Sequence, residues 1–360
     1  MCSSACVGYI LLSRSTGCQD MHKPRKYRNE LLIGRLLHRL KVVVSYKFDC
    51  YLSKLELIFQ LSNIFSMKIC MFAYILRSNM IVANNLSDFN SAREQFEGKV
   101  VGFVPTMGAL HEGHASLMRK AVQECDAVVV SIFVNPTQFN NQNDFNTYPR
   151  TLEKDCSFVE SLGVKLVFAP GVQDVYPQGS GFDTKVYDLG GLDQYGEGPR
   201  RPGHFNGMAQ IVTRLFDIVR PSKAYFGEKD FQQLAIIEYF TRNLNYPIEI
   251  VRCPIARGED GLALSSRNEL LTPEQRAVAP HIYKCISSAV DMVGKFSVDE
   301  VIKKVTEAID SEKLLETEYV EIINSLTLQP ISDWNEAEHI RLSCAVFAHP
   351  VRLIDNINLK

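Results

Sequence analysis

The sequence predicts an α/β protein, with a doubly wound domain on a parallel sheet followed by a smaller α+β domain. Three observations carry that expectation. The runs Val100–Val104, Ala127–Phe133 and Val164–Pro170 are short and almost wholly apolar, as strands covered on both faces are. Turns and helical patterns separate them at the spacing of βαβ units. Beyond residue 257 the order changes to helical patterns near 277–293 and 298–310 and strands near 318–323 and 344–348.

Local signals place the remaining elements. Leu86–Phe96 is a short helical pattern with Ser87 as its expected N-cap. Pro149–Leu162 reads as a helix with Pro149 near its first position and Gly163 as its stop. A Gly/Pro-rich loop, Gly190–Gly207, leads into a helix over Met208–Val219. Ala224–Phe226 and Ile248–Val251 are short strands, and Thr272-Pro273-Glu274-Gln275 has the residues of a capped helix start. In open α/β sheets ligands sit beyond the carboxyl ends of the strands. The polar turns after the first two strands are therefore expected to face one cleft.

Charge and cysteine usage exclude some functions and divide the chain. Over 360 residues the net charge is −2, which gives no electrostatic case for a nucleic-acid partner or an anionic membrane. Residues 1–79 nevertheless hold twelve Lys/Arg against four Asp/Glu and five of the ten cysteines. This segment is expected to be a separate extension, disordered, transit-like or upstream of the true start at Met67, Met71 or Met80. Within its Leu/Ile/Phe-rich stretch from Tyr51 to Leu76, the longest uncharged piece, Leu57–Met67, is too short to span a bilayer. Cys125, Cys156, Cys253, Cys285 and Cys344 are scattered singly, as reduced thiols in a cytosol-like compartment would be. The expected location is the cytoplasm, with organellar targeting by residues 1–79 as the alternative.

Pro105-Thr106-Met107-Gly108-Ala109-Leu110-His111-Glu112-Gly113-His114 joins the first strand to a helical pattern. Such a corner offers helix N–H groups and a positive dipole end to phosphate. His111 and His114, three apart, project to the same side of an opening helical turn, where neutral or shared imidazoles poised near neutral pH could donate to a phosphoryl group. Lys229 is a mobile ammonium suited to phosphates. Asp230 suits ribose hydroxyls or Mg²⁺, and Ser265, Ser266 and Arg267 offer two hydroxyls and a guanidinium to phosphate oxygens. Gln138 and Gln233 are uncharged donors that lie after different strands.

Five blocks occur in one order and spacing: Pro105–His114, Val134–Phe139, Arg201-Pro202-Gly203-His204-Phe205, Gly227–Gln233 and Leu264-Ser265-Ser266-Arg267-Asn268. Together with the closing Arg352–Asn356 they resemble the pantothenate synthetase (pantoate–beta-alanine ligase) family from about Met80 to Lys360. The resemblance implies a Rossmann-like nucleotidyltransferase domain over 80–257 and a C-terminal lid domain over 258–360. It implies condensation of (R)-pantoate with beta-alanine through pantoyl adenylate, releasing AMP and pyrophosphate, with Mg²⁺ accompanying ATP, in a homodimer. ATP would be met by Met107, Gly108, Ala109, Leu110, His111, Glu112, Gly113, His114, Gly227, Glu228, Lys229, Asp230, Ala256, Leu264, Ser265, Ser266 and Arg267. Pantoate would be met by Gln138 and Gln233, and beta-alanine by Gln138. Asn135 and His204 are further candidate contacts. The alternative is a nucleotidylyltransferase acting on a phosphate ester, which would call for added Arg or Lys around the two glutamines.

Overall fold

A computed structural model describes residues 80–138, 145–146, 148–177 and 185–360. Two units separate, Met1–Leu76 and Arg77–Lys360, and the described residues lie in the second. The extension expected at residues 1–79 lies outside them.

The larger sheet is parallel throughout. Its strands are β1 (Ile81–Ala83), β2 (Val101–Thr106), β3 (Ala127–Ile132), β4 (Leu166–Phe168), β5 (Lys223–Gly227) and β6 (Glu249–Cys253), in the order β1-β4-β3-β2-β5-β6. The chain runs outward from β2 in one direction through β3 and β4, then returns and continues through β5 and β6. The order therefore reverses between β2 and β5, and a crevice forms beyond the carboxyl ends of neighbouring strands at such a point. Helices α1 (Leu86–Arg93), α2 (Glu112–Glu124), α3 (Leu152–Ser161), α4 (Val172–Val175), α5 (Glu197–Arg200), α6 (His204–Val219) and α7 (Phe231–Asn243) lie along this part of the chain. One apolar cluster joins α6 and α7 to the sheet through Phe103, Met208, Phe216, Ile236 and Phe240. A second, on the other side, joins α2 to it through Val104, Met118, Val130 and Tyr225.

Residues 273–358 form α8 (Pro273–Val278), α9 (His281–Ser288), α10 (Val298–Asp310) and an antiparallel sheet of β7 (Glu316–Asn324), β8 (Ile340–Ala348) and β9 (Val351–Asn358). Their core, with Ile286, Val301, Ile322, Leu342 and Val346, is a separate cluster.

Boundaries differ from expectation where caps decide them. The N-cap of α1 is Asn85, whose side chain accepts from Asp88 N, so Ser87 is already inside the helix. Pro149 lies outside α3, which opens at Leu152 after Thr151. The α6 helix begins at His204, four residues before its expected start. Two strands, β1 and β9, were not expected.

Candidate active site

The turn after β2 is built by hydrogen bonds from two directions. Thr106, the last residue of β2, donates through Oγ1 to Ser131 O at 2.6 Å and accepts from Gly108 N at 3.3 Å. Gly108 (φ +83°) and Ala109 (φ +49°) are both left-handed, a conformation that costs an alanine about 1 kcal/mol. Buried Asp155 on α3 holds them there, accepting from Ala109 N at 3.0 Å and Leu110 N at 2.9 Å.

His111 and His114 then form a reciprocal cap on α2. His111 Nδ1 accepts from Gly113 N at 3.1 Å, and His114 Nδ1 accepts from His111 N at 3.3 Å. Each Nδ1 must carry a lone pair, so each neutral ring keeps its proton on Nε2. The ring centroids are 4.1 Å apart, so the two imidazoles share one side of the turn. The helix end therefore does not present those two N–H groups to a ligand; the imidazoles take them and can offer Nε2–H instead. Gly113 is required because a Cβ there would stand 2.7 Å from His111 Cε1. The expectation of groups poised near neutral pH is corrected. Burial, reinforced by Lys229, lowers His111 to about 4. Burial, then His111 and Lys229, lowers His114 to about 3.

A cleft of about 330 Å³ opens at the switch point. It brings together Met107, His111, Gly113 and His114 from the β2 turn, Gln138, and Gly227, Lys229, Asp230 and Gln233 after β5. Ala256, Leu264, Ser265, Ser266 and Arg267 complete that wall, whereas Gly108, Ala109, Leu110, Glu112 and Glu228 lie off it. Glu112 instead pairs with Arg119 at 2.8 Å. Ala256 and Leu264 are joined by a backbone bond of 2.9 Å at the neck of the loop that carries the serines. Ser265 Oγ accepts from Arg267 N at 3.3 Å and keeps its own proton available. Ser266 Oγ donates to Ala109 O at 3.1 Å, resting the loop on the β2 turn.

Within the same cleft, neither the Gln138 nor the Gln233 side chain has a hydrogen-bond partner among the described residues. Neighbouring Gln232 is structural, since it bonds to Glu197 N, Leu192 O and Tyr195 O. Asn135 is buried and bonded to Thr137 and Tyr176, and it stands off the cleft. His204 lines the cleft, and its Nδ1 lies 3.0 Å from Gln138 O. A carbonyl only accepts, so this ring carries its proton on Nδ1, the reverse of the other two. Burial, then Arg201, lowers His204 to about 4.

Comparison with known proteins agrees with this architecture. A family model described as pantoate-beta-alanine ligase matches residues 81–358. The chain belongs to the pantoate–beta-alanine ligase family. Within that family, the pantothenate synthetase of Bacteroides thetaiotaomicron is 50% identical over 264 residues, covering 73% of this chain and 93% of the relative. The pantoate–beta-alanine ligase of Schizosaccharomyces pombe is 42% identical over 285 residues, 79% of this chain and 98% of its own. The crystal structure of the pantothenate synthetase from Thermus thermophilus superposes with a TM-score of 0.72 at 42% identity, covering 78% of this chain and 99% of that one. A Francisella tularensis pantoate-beta-alanine ligase, solved with beta-gamma ATP and beta-alanine, gives 0.65 at 37%, with coverage of 78% and 98%.

Two residues of this ligase's cleft region escaped sequence reasoning. Asp155 lies in a charged helical run that reads as solvent-facing. Arg201 lines the cleft, and its guanidinium has no hydrogen-bond partner among the described residues. Burial, with Arg267 and Arg352 nearby, lowers its pKa against the pull of Glu197. Its place in the Arg-Pro-Gly-His-Phe block was the available signal.

Proposed function

We propose that this cleft condenses (R)-pantoate with beta-alanine in two steps at the expense of ATP. A pantoate carboxylate oxygen attacks the α-phosphorus, the bond from that phosphorus to the bridging oxygen breaks, and pyrophosphate leaves. The amine of beta-alanine then attacks the acyl carbon of pantoyl adenylate. The acyl C–O bond breaks, AMP leaves, the nitrogen gives up a proton, and pantothenate results. The observation that carries this reading is a single cleft lined by two imidazoles, Lys229 and the amides of Gln138 and Gln233, which have no hydrogen-bond partner among the described residues.

Charge builds on the α-phosphate and on departing pyrophosphate, so positioned donors and cations are what the first step needs. His111 and His114 supply Nε2–H donors to phosphoryl oxygen, and Lys229 supplies a point charge. Ser265 and Arg267 attend the leaving pyrophosphate, while Ser266 keeps their loop on the β2 turn. Gln138 and Gln233 hold the pantoate carboxylate, and Gln138 also meets beta-alanine. Arg201, beside His204, suits the carboxylate of beta-alanine. Neutral His204, with a lone pair on Nε2, suits the amine proton.

Among the described residues no group of three His, Cys, Asp or Glu could hold a metal alone. The residues present fit Mg²⁺ carried mainly by ATP phosphates, with Asp230, 52% exposed and 3.9 Å from Lys229 Nζ, as the side-chain ligand. Such an ion would neutralise polyphosphate charge. No described helix is long and apolar enough to cross a membrane. The division at 257/258, the lid role of 258–360, a homodimer and a cytoplasmic location belong to this proposal. Light scattering and cell fractionation test the last two.

Incubation of the full chain with ATP, Mg²⁺ and pantoate, followed by mass spectrometry, tests the reaction. Pantoyl adenylate without beta-alanine, and pantothenate with AMP in its presence, are expected. AMP transfer to a phosphate ester would favour a nucleotidylyltransferase, and silence in both assays would overturn the reading.

A further inference from the structure

Lys229 stands on a 3-10 turn, Glu228–Asp230, between β5 and α7. Nothing in that short turn fixes its orientation by a side-chain cap. The fixing contact arrives from the far end of the sequence. Asn356, on β9 and 3% exposed, donates through Nδ2 to Glu228 O and to Lys229 O, each at 3.0 Å. Its Oδ1 accepts from Arg341 Nη1 at 2.5 Å. A guanidinium has only donors, so this contact fixes which way the amide points and aims both of its hydrogens at the turn.

The support is itself supported. Arg341 is 7% exposed and lies over the Phe231 ring, 3.9 Å from its centroid. Asp355, 5% exposed, accepts from Asn356 N at 2.8 Å and receives both arms of Arg257, at 2.6 and 2.8 Å. Arg257 also donates to Gly261 O at 3.1 Å, within the hairpin that leads to Ser265–Arg267. Two adjacent buried polar residues on β9 thus brace two segments of the cleft wall.

We infer that Asn356 is a positioning residue for adenylate formation, acting by holding the backbone carbonyls under Lys229. The inference rests on the role given to Lys229 above. A buried amide with every donor and acceptor engaged is costly to disturb. A displacement of about 1 Å at a reacting group is enough to cost about 100-fold in rate.

The test is a double-mutant cycle read by pantoate-dependent exchange of labelled pyrophosphate into ATP, which needs no beta-alanine. Asn356→Ala is expected to lower exchange about 100-fold where Lys229 is present and less than about threefold where Lys229 is already alanine. Equal losses on both backgrounds would overturn the inference, because a loosened C-terminal region would act regardless of Lys229. Full exchange by Lys229→Ala alone would overturn the role of that lysine, a failure distinguishable from the first. The near-isosteric Asn356→Asp keeps the Arg341 contact while removing both donors. That swap sets an acceptor against two carbonyls, so its thermal midpoint is expected to fall. Exchange assayed well below the midpoint, where the chain is folded, should still show the same dependence on Lys229, and equal losses on both Lys229 backgrounds would again overturn the inference.

Discussion

At the residue scale the site depends on which nitrogen of each histidine holds a proton. His111 and His114 accept backbone N–H groups at Nδ1 and so present Nε2–H. His114→Ala is expected to lower adenylate formation by on the order of 10²–10⁴ with the fold retained, as is Lys229→Ala. Unchanged pyrophosphate exchange in either variant would remove its residue from the mechanism. The same burial makes an acid liability. His111, His114 and His204 have folded pKa values near 4, 3 and 4 against 6.5 in the free side chain. Below about pH 6.5 the unfolded chain takes up protons that the folded chain refuses, so stability is full above that pH and falls toward pH 4. Each group contributes up to about 1.4 kcal/mol per pH unit in that window. His204→Asn keeps a donor for Gln138 O without a titrating ring. Urea unfolding between pH 5 and 6.5 should show a shallower slope in that variant, and an identical slope would exclude His204 as a source.

At the element scale, the β2 turn is where one helix holds another's entrance open. Asp155→Asn is expected to cost about 2–4 kcal/mol, since it weakens the acceptors for two N–H groups and introduces a donor in their place. Ala109→Gly should restore about 1 kcal/mol of that loss, because glycine adopts φ near +49° without a Cβ clash. Urea unfolding of the single and double variants measures both, and no rescue would mean that the turn is not the strained part. Sequence reading reached the elements whose signals are local. Ser297 and Glu300 close a reciprocal cap and α10 spans Val298–Asp310, matching the expected 298–310. Thr272 and Gln275 do the same for α8. It missed β1, which has only three residues. It also missed β9, whose alternation is broken by buried Asp355 and Asn356. Those two are polar because of Arg257 and the Lys229 turn, partners about a hundred residues away that no local pattern reveals. Asp155 was hidden in the same way, 46 residues from Ala109. The histidine pair was legible from spacing, but the direction of its hydrogen bonds was not.

At the scale of the whole molecule, a buried ion pair ties the Gly-rich loop of the α/β part to the small sheet. Glu197, 9% exposed at the start of α5, receives both arms of Arg352 on β9 at 2.9 and 2.8 Å and the Tyr319 hydroxyl at 2.8 Å. Burial alone would raise the Glu197 carboxyl; the Arg352 and Tyr319 contacts more than offset it and leave it below its ordinary value. Arg200 reinforces the joint, lying over the Tyr319 ring and pairing with Glu321 at 3.0 Å. The α5 helix ends one residue before Arg201, so the joint also fixes where that guanidinium enters the cleft. A buried pair contributes little against a well-packed apolar replacement, but breaking it from one side strands a charge. Arg352→Met is therefore expected to cost about 3–5 kcal/mol, and the double variant Glu197→Gln/Arg352→Met about 1 kcal/mol, because the stranded carboxylate is gone. Arg352→Met should also raise the KM for beta-alanine more than that for ATP, since Arg201 moves with α5 while the β2 turn is held independently by Asp155. Urea unfolding and steady-state kinetics of the three proteins decide it: equal losses in single and double variants, or an unchanged KM for beta-alanine, would show that the joint carries neither the stability nor the placement assigned to it.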